Sequence, residues 1–381
     1  MDAIDGVTAP PAVTDRTVLG RRYAALYDVL HAHAAEADRA GRLPRAVLDA
    51  LRSSGILATA VPREFGGDGG GALLVNRVVE QVAGLDPSVA IILFQHFAVT
   101  SRIAEWASDE QRAHWLPRLA DGRWLAASAW SETGASADKR NIATEAVAVP
   151  GGWVLNGSKS FTTGAGLAQV YLVLTQTSRP GSTDTTYGSD GQSFFLVEAD
   201  TPGLVADIDM DLVGMRASAT GSVELDGCFV PAGAALGPLG KAASIIAGVR
   251  ETGATLGAVA VGIADAVHRL AEVHVRKRGA DPLAVRHLAE LAGRVESARA
   301  AVESAGRRDN ARPGLATLHS KVIASTVAEE VCLLTQRLLG SAGFLRDHPV
   351  NRLARDVRAV GLMGPTNELC LKLITQEGFP P

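Results

Sequence analysis

Among the side chains able to do chemistry, the cysteines are the easiest to place. Cys228, Cys332 and Cys370 stand far apart, with no CxxC pair and no Cys/His spacing suited to zinc. They read as isolated thiols in a reducing compartment, and no metal centre is expected. His96 lies in Phe94-Gln-His-Phe97, inside an apolar run. A single His there is by default a hydrogen-bonded core residue. Glu251, in Ala247-Gly-Val-Arg-Glu-Thr-Gly253, is by default a helix charge placed by the helix dipole. Arg355-Asp356 likewise reads as a pair of solvated helix charges, and Trp130 and Phe161 as core aromatics. No single residue announces a reaction.

The elements that must hold these residues are clearer. Of the 381 residues, 47% are hydrophobic and 20% charged, and the net charge is −4. That balance supplies no basic footprint for nucleic acid or an anionic membrane. Runs such as Val89–Phe94 and Gly257–Ala264 are shorter than a bilayer span, so no membrane partner is expected. The opening MDAIDGVTAPPAVTD has neither a basic start nor an apolar core, which points to the cytoplasm. Residues 1–15 read as a loose tail. From Thr17 to about Leu119 the periodicity is helical, with Tyr23, Leu26, Tyr27 and Leu30 on one face, interrupted by the Gly-rich loop 62–71. Between Ala126 and Pro231, short alternating segments (143–149, 153–155, 170–175, 194–198 and 223–230) are punctuated by Asn156-Gly157, Asp190-Gly191 and Asp226-Gly227. The Ser/Thr/Gly-rich stretch Ser178–Gln192 reads as a mobile surface loop. Long amphipathic helices follow over 258–275, 284–306 and 315–339. The expectation is an α+β chain in three regions: helical over 1–125, β over 126–235, and a helical bundle over 236–381.

Six local motifs, in order, sharpen this. They are Leu43-Pro-Arg45 with Val61-Pro-Arg-Glu-Phe-Gly-Gly67; Glu110-Gln-Arg-Ala-His-Trp-Leu-Pro117; Ser128-Ala-Trp-Ser-Glu-Thr-Gly-Ala-Ser-Ala-Asp138; Asn156-Gly-Ser-Lys-Ser-Phe-Thr-Thr163; Gly214-Met-Arg-Ala-Ser-Ala-Thr220; and Gly340–Val350 with Arg352-Leu-Ala-Arg-Asp356. Together they resemble the acyl-CoA dehydrogenase family over nearly the whole chain. The resemblance implies an N-terminal helical domain, a central β-barrel or sandwich, and a C-terminal four-helix bundle. It also implies a flavin oxidoreductase acting on an acyl thioester, carried by CoA or by an acyl-carrier protein.

The flavin contacts the resemblance implies are Trp130 and Ser131 at the isoalloxazine edge, Phe161 beside the ring and Thr163 near N5. Ala137 stands near the pyrophosphate, where the family usually carries Ser. For the far end of the cofactor it implies Arg276 or Arg278, then Arg337, Gly340, Thr366 and Glu368. The family's Phe and Gln are gone from Val275-Arg-Lys-Arg-Gly-Ala-Asp-Pro282. FAD is therefore implied, with FMN as the alternative.

Leu362-Met-Gly-Pro-Thr-Asn-Glu368 puts Gly364 where the family keeps its catalytic glutamate. Some relatives carry the base on the first helix after the β-domain, which names Glu251 here, with Arg250 directed to the pantetheine. Phe94 and Gly364 are expected to line the substrate space. His96 is the candidate for the alternative activity, a flavin monooxygenase using reduced flavin and oxygen. The dehydrogenase needs an electron acceptor, the monooxygenase a flavin reductase. Long C-terminal helices buried between subunits imply a homodimer or homotetramer.

Overall fold

The computed structural model describes residues 16–178 and 186–378. The expected tail 1–15 and part of the expected loop 178–192 lie outside these residues. The first helices are α1 (Arg16–Arg22), α2 (Ala24–Ala40), α3 (Arg45–Ser53), α4 (Ala72–Ala83), α5 (Pro87–Trp106) and α6 (Asp109–Ala120). Their boundaries have local causes. Asp86 caps α5 by accepting from Ser88 and Val89 N–H, with Pro87 in the first turn. Ser108 and Gln111 form a reciprocal capping box on α6. By length and composition α5 could cross a bilayer, but 72% of its apolar window is buried inside the protein.

The strands β1 (Ala126–Ala129), β2 (Glu145–Val149), β3 (Gly152–Thr162), β4 (Val170–Gln176), β5 (Gln192–Glu198), β6 (Leu204–Asp207), β7 (Gly221–Pro231) and β8 (Ala235–Leu236) form one sheet. Its order is β6-β7-β3-β2-β4-β5-β8, with β1 pairing parallel to β4. The short strands β1, β6 and β8 carry too few residues to show an alternation in sequence. After the sheet come α7 (Ala242–Glu251), α8 (Gly257–Lys277), α9 (Pro282–Arg307), α10 (Pro313–Leu339), α11 (Pro349–Leu362) and α12 (Asn367–Gly378). One core cluster joins α2, α4 and α5 to α8–α11, through residues such as Leu30, Val79, Leu93, Val261, Val331 and Val357.

Arg355 and Asp356, expected in solvent, hold the regions together instead. Arg355 donates to both Asp38 oxygens (3.1 and 2.6 Å) and to the Val213 carbonyl (2.7 Å). Asp356, 2% exposed, accepts from Met215 N–H at 2.6 Å. Its burial pushes the carboxyl up to about 7.

Candidate functional site

Two strand ends meet at the site. Trp130 and Ser131 follow β1, while Phe161 and Thr162 close β3 and Thr163 follows it. Ser160 N–H donates to the Ser131 carbonyl at 2.9 Å and joins the two ends. The Thr163 hydroxyl meets that of Thr220 at 3.1 Å, and Thr220 meets Ser218 at 2.7 Å. The pairing of β3 with β7 is irregular between Lys159 and Thr162. There Phe161 takes φ +53° and stands 63% exposed, a strained backbone carrying a bare aromatic face. The Trp130 ring packs on Phe194 at 4.9 Å. Trp130 Nε1, Ser160 Oγ and Thr162 Oγ1 are buried with no hydrogen-bond partner. Unpaired buried polar atoms beside an exposed ring and two hydroxyls suit a flat, polar-edged aromatic ligand, so these residues fit a flavin.

Beneath them lies a buried ion pair that the sequence did not announce. Lys159 is fully buried and donates to Glu132 Oε1 at 2.6 Å. Thr144 N–H and Oγ1 donate to the same oxygen at 3.0 and 2.6 Å, and Ala143 N–H donates to Oε2 at 2.5 Å. Gly157 makes this possible, because a Cβ there would come within 2.6 Å of the Thr144 Cα and Oγ1. Lys159 beside Glu132, with these hydrogen bonds, holds the carboxyl below its usual range despite burial, while desolvation brings the Lys159 ammonium down to about 8.

The helix α5 packs its Val99 and Ile103 against sheet residues such as Ala126 and Leu172, and leaves one stripe incompletely buried: Phe94, Ala98, Ser101 and Glu105. Ser101, Ala104 and Glu105 run on into a groove of about 600 Å³, whose far wall carries Thr252, Ala254 and Arg308. Phe94, at the other end of this stripe, is partly buried and packs against the main core cluster. His96 sits about 200° round the helix from Phe94. Its Nε2 donates to the Leu57 carbonyl at 3.0 Å and its Nδ1 accepts from Ala126 N–H at 3.3 Å. This corrects the expectation of a catalytic His96: both nitrogens are used inside the core, joining α5 to β1.

Desolvation lowers the His96 imidazole to about 4. The unfolded chain therefore binds this proton first, and His96 withdraws stability as pH falls from about 6.5 to 4, up to about 3 kcal/mol. Asp356 acts oppositely, because its raised carboxyl takes up a proton in the native state first. His96→Gln should then show a smaller loss of urea midpoint between pH 7 and 5 than the parent. Parallel midpoints would contradict this role.

The remaining expected residues are spread out. Around Gly364 the structure gathers groups the sequence did not single out. A Cβ on Gly364 would lie 3.3 Å from the Tyr187 hydroxyl. Tyr187 belongs to the stretch expected as mobile surface loop, yet it packs inward beside Leu318, Leu369 and Leu373. Lys321 Nζ donates to the Met363 carbonyl at 3.0 Å and to the Pro365 carbonyl, and fixes the turn. Thr366 caps α12 through Leu369 N–H at 3.2 Å, and Glu368 is exposed in its first turn. Arg250 turns to α12 and pairs with Glu377 at 2.9 Å, with its Nε buried and unpartnered. Glu251 is exposed, and its Oε1 lies 2.2 Å from where a Cβ on Gly314 would stand. In this arrangement Glu251 faces the start of α10 rather than Gly364. Ala137, Arg276, Arg337 and Gly340 are all exposed, and Arg276 pairs with Glu272 within α8. A groove of about 1360 Å³ is a different place, lined by Arg39, Arg216, Arg269, Arg346 and Arg358.

Sequence models of the acyl-CoA dehydrogenase N-terminal, middle and C-terminal domains match residues 22–123, 127–228 and 245–379. The chain belongs to the acyl-CoA dehydrogenase family. It is 32% identical over 348 residues to the probable acyl-CoA dehydrogenase FadE25 of Mycobacterium tuberculosis, covering 88% of each chain. The butyryl-CoA dehydrogenase of Megasphaera elsdenii superposes with a TM-score of 0.88 at 26% identity, over 97% of this chain and 99% of that one. FkbI, described as serving biosynthesis of the methoxymalonyl extender unit of the polyketide FK520, superposes at 0.81 with 28% identity, over 94% and 99%. The three-domain helical, sheet and helical fold is the one expected. The chain is a flavin-dependent oxidoreductase acting on the CH–CH group of acyl-CoA, and the family's cofactor is FAD. The monooxygenase alternative is not favoured.

Proposed function

We propose that the protein oxidises the Cα–Cβ bond of an acyl thioester, on CoA or on an acyl-carrier protein, held between α5, the end of α7 and the turn at Gly364. The observation that carries this reading is the joined pair of strand ends that brings Ser131, the exposed Phe161 ring and Thr163 together beside the unpaired buried atoms Trp130 Nε1, Ser160 Oγ and Thr162 Oγ1. FAD, when bound, supplies the acceptor for the hydride that leaves Cβ. Ser131 and Thr163 orient the ring through their hydroxyls, with Thr163 fixed by Thr220. Phe161 offers a ring face, and Phe94 an apolar wall for the acyl group. Arg250, with its unpartnered Nε, is suited to the thioester arm.

For the α-proton we infer that Glu251 is the base. Its exposed side chain is free to leave Gly314 by a rotamer change, and its neighbour Thr252 already lines the groove. The exposed Arg276, Arg337 and Gly340 are suited to hold the adenine end of a cofactor bound by a second copy, in a homodimer or homotetramer. Electrons would leave to a separate acceptor protein. The three free, buried cysteines support a reducing cytoplasm.

Anaerobic mixing of the purified holoprotein with a series of acyl-CoA thioesters tests the reading. Bleaching of the oxidised flavin band is expected. Turnover seen only with added reduced flavin and oxygen would overturn it in favour of oxygenation.

A further inference from the structure

Lys139 is a second buried lysine at the site, and neither the fold nor the reaction accounts for it. It follows the turn after β1, is 8% exposed, and holds φ +57°, a region that favours glycine. Its backbone is pinned on both sides. Its N–H donates to the Ser136 carbonyl at 3.1 Å, and its carbonyl accepts from Nε2 of the fully buried Gln192 at 2.8 Å. So held, its Nζ reaches the Ser131 hydroxyl at 2.8 Å. That neutral oxygen is the acceptor the ammonium finds, and it leaves two of three ammonium protons for a partner.

The charges around it do not supply that partner. Glu132 already accepts from Lys159, from Thr144 twice and from Ala143, and its charge is matched by Lys159. Asp138 turns its Oδ1 to Ser136 Oγ and Arg140 N–H. Both carboxylates pull on Lys139 electrostatically, yet burial still outweighs them and lowers its ammonium below the ordinary lysine value. A desolvated cation that donates to one hydroxyl calls for an anionic or strongly electron-rich ligand in the same place. Because Ser131 accepts from Lys139, its own proton is free to point onward into the cleft.

We propose that Lys139 acts through and beside Ser131 as the cation for the ring edge of the flavin, stabilising the negative charge that reduction places on the ring. This rests on the reading of Ser131 as a flavin contact. Lys139 is then a positioning and potential-setting residue, and no bond to it forms or breaks in the reaction.

The test uses the FAD-loaded protein and two readouts that do not depend on turnover. Sulfite adds to oxidised flavin and leaves a negative charge on the ring, so its dissociation constant reports the local cation. The flavin midpoint potential, measured against a reference dye, reports the same charge. Lys139→Met should weaken sulfite binding about tenfold or more and move the potential to more negative values, while Lys139→Arg should keep both near the parent. If Lys139→Met fails to hold FAD, Lys139→Gln keeps a donor without the charge and is read in the same way. Unchanged sulfite affinity and potential in a neutral variant that binds FAD overturns the proposal. A change in FAD affinity alone also overturns it, and assigns Lys139 to the phosphates. Loss of FAD from both neutral variants overturns it as well, because the lysine would then be structural. A parent protein that takes up no flavin overturns the flavin reading itself.

Discussion

Glu132→Ala should be the most damaging single substitution at the site, costing about 3–5 kcal/mol of stability, or roughly 4–6 °C in Tm. The reason is what remains behind. Lys159 is fully buried, and without Glu132 its ammonium has lost its counter-charge, while Thr144 and Ala143 lose the acceptor for three further donors. Breaking a buried pair costs far more than deleting it whole. The double variant Glu132→Gln with Lys159→Met should therefore recover much of the loss. Differential scanning calorimetry measures both. A single variant within about 1 kcal/mol of the parent would show that the pair carries no such strain. Since the pair lies directly under the joined ends of β1 and β3, FAD retention should fall with stability in the single variant and return with the double.

Glu251→Gln should slow the anaerobic reductive half-reaction by about 10²–10⁴, the usual range for a positioned general base, while leaving the flavin spectrum and fold intact. Rapid-mixing absorbance measures it, and full retained activity would remove Glu251 from the mechanism. The complementary change, Gly364→Glu, should not rescue this variant. A Cβ there meets the Tyr187 hydroxyl at 3.3 Å, closer than an ordinary contact, so Tyr187 must give way before the longer side chain can settle on that side. Adding Tyr187→Ala clears the space, and the triple variant should regain at least about tenfold over Glu251→Gln alone. Rescue by Gly364→Glu without that change would mean that Tyr187 does not govern the position.

Much of this architecture is legible in the sequence, for identifiable reasons. The long helices α8, α9 and α10 carry many turns of apolar periodicity, so they stand within two residues of expectation. The strands β2 to β5 and β7 alternate or are punctuated by Gly dipeptides. By contrast β1, β6 and β8 take their places from pairing partners distant in the chain. The site divides in the same way. Ser131 and Thr163 could be brought forward as candidates because their motifs are local, and the structure joins the two segments through Ser160. His96 could have been set aside on helical spacing alone, since it opposes Phe94 on α5. Glu132 and Lys159 stood in quoted motifs, but their pairing depends on the register of β3 and on the closeness of Thr144 to Gly157. Tyr187 and Lys321 carry no signal: each acquires its role from a turn more than forty residues away.

Arg355 and Asp356 lie next to each other on α11 and about 100° apart around its axis. Arg355 grips the N-terminal helices through Asp38 and the sheet region through Val213, and Asp356 adds a second grip on the sheet region through Met215. In mechanical terms α11 is a keyed shaft, and the two flanking bodies are locked to one pair of successive teeth. Their relative orientation is indexed to a single residue step. Gradual sequence drift elsewhere in α11 leaves that angle untouched, whereas inserting or deleting one residue between its start and Arg355 would turn the shaft by a whole tooth.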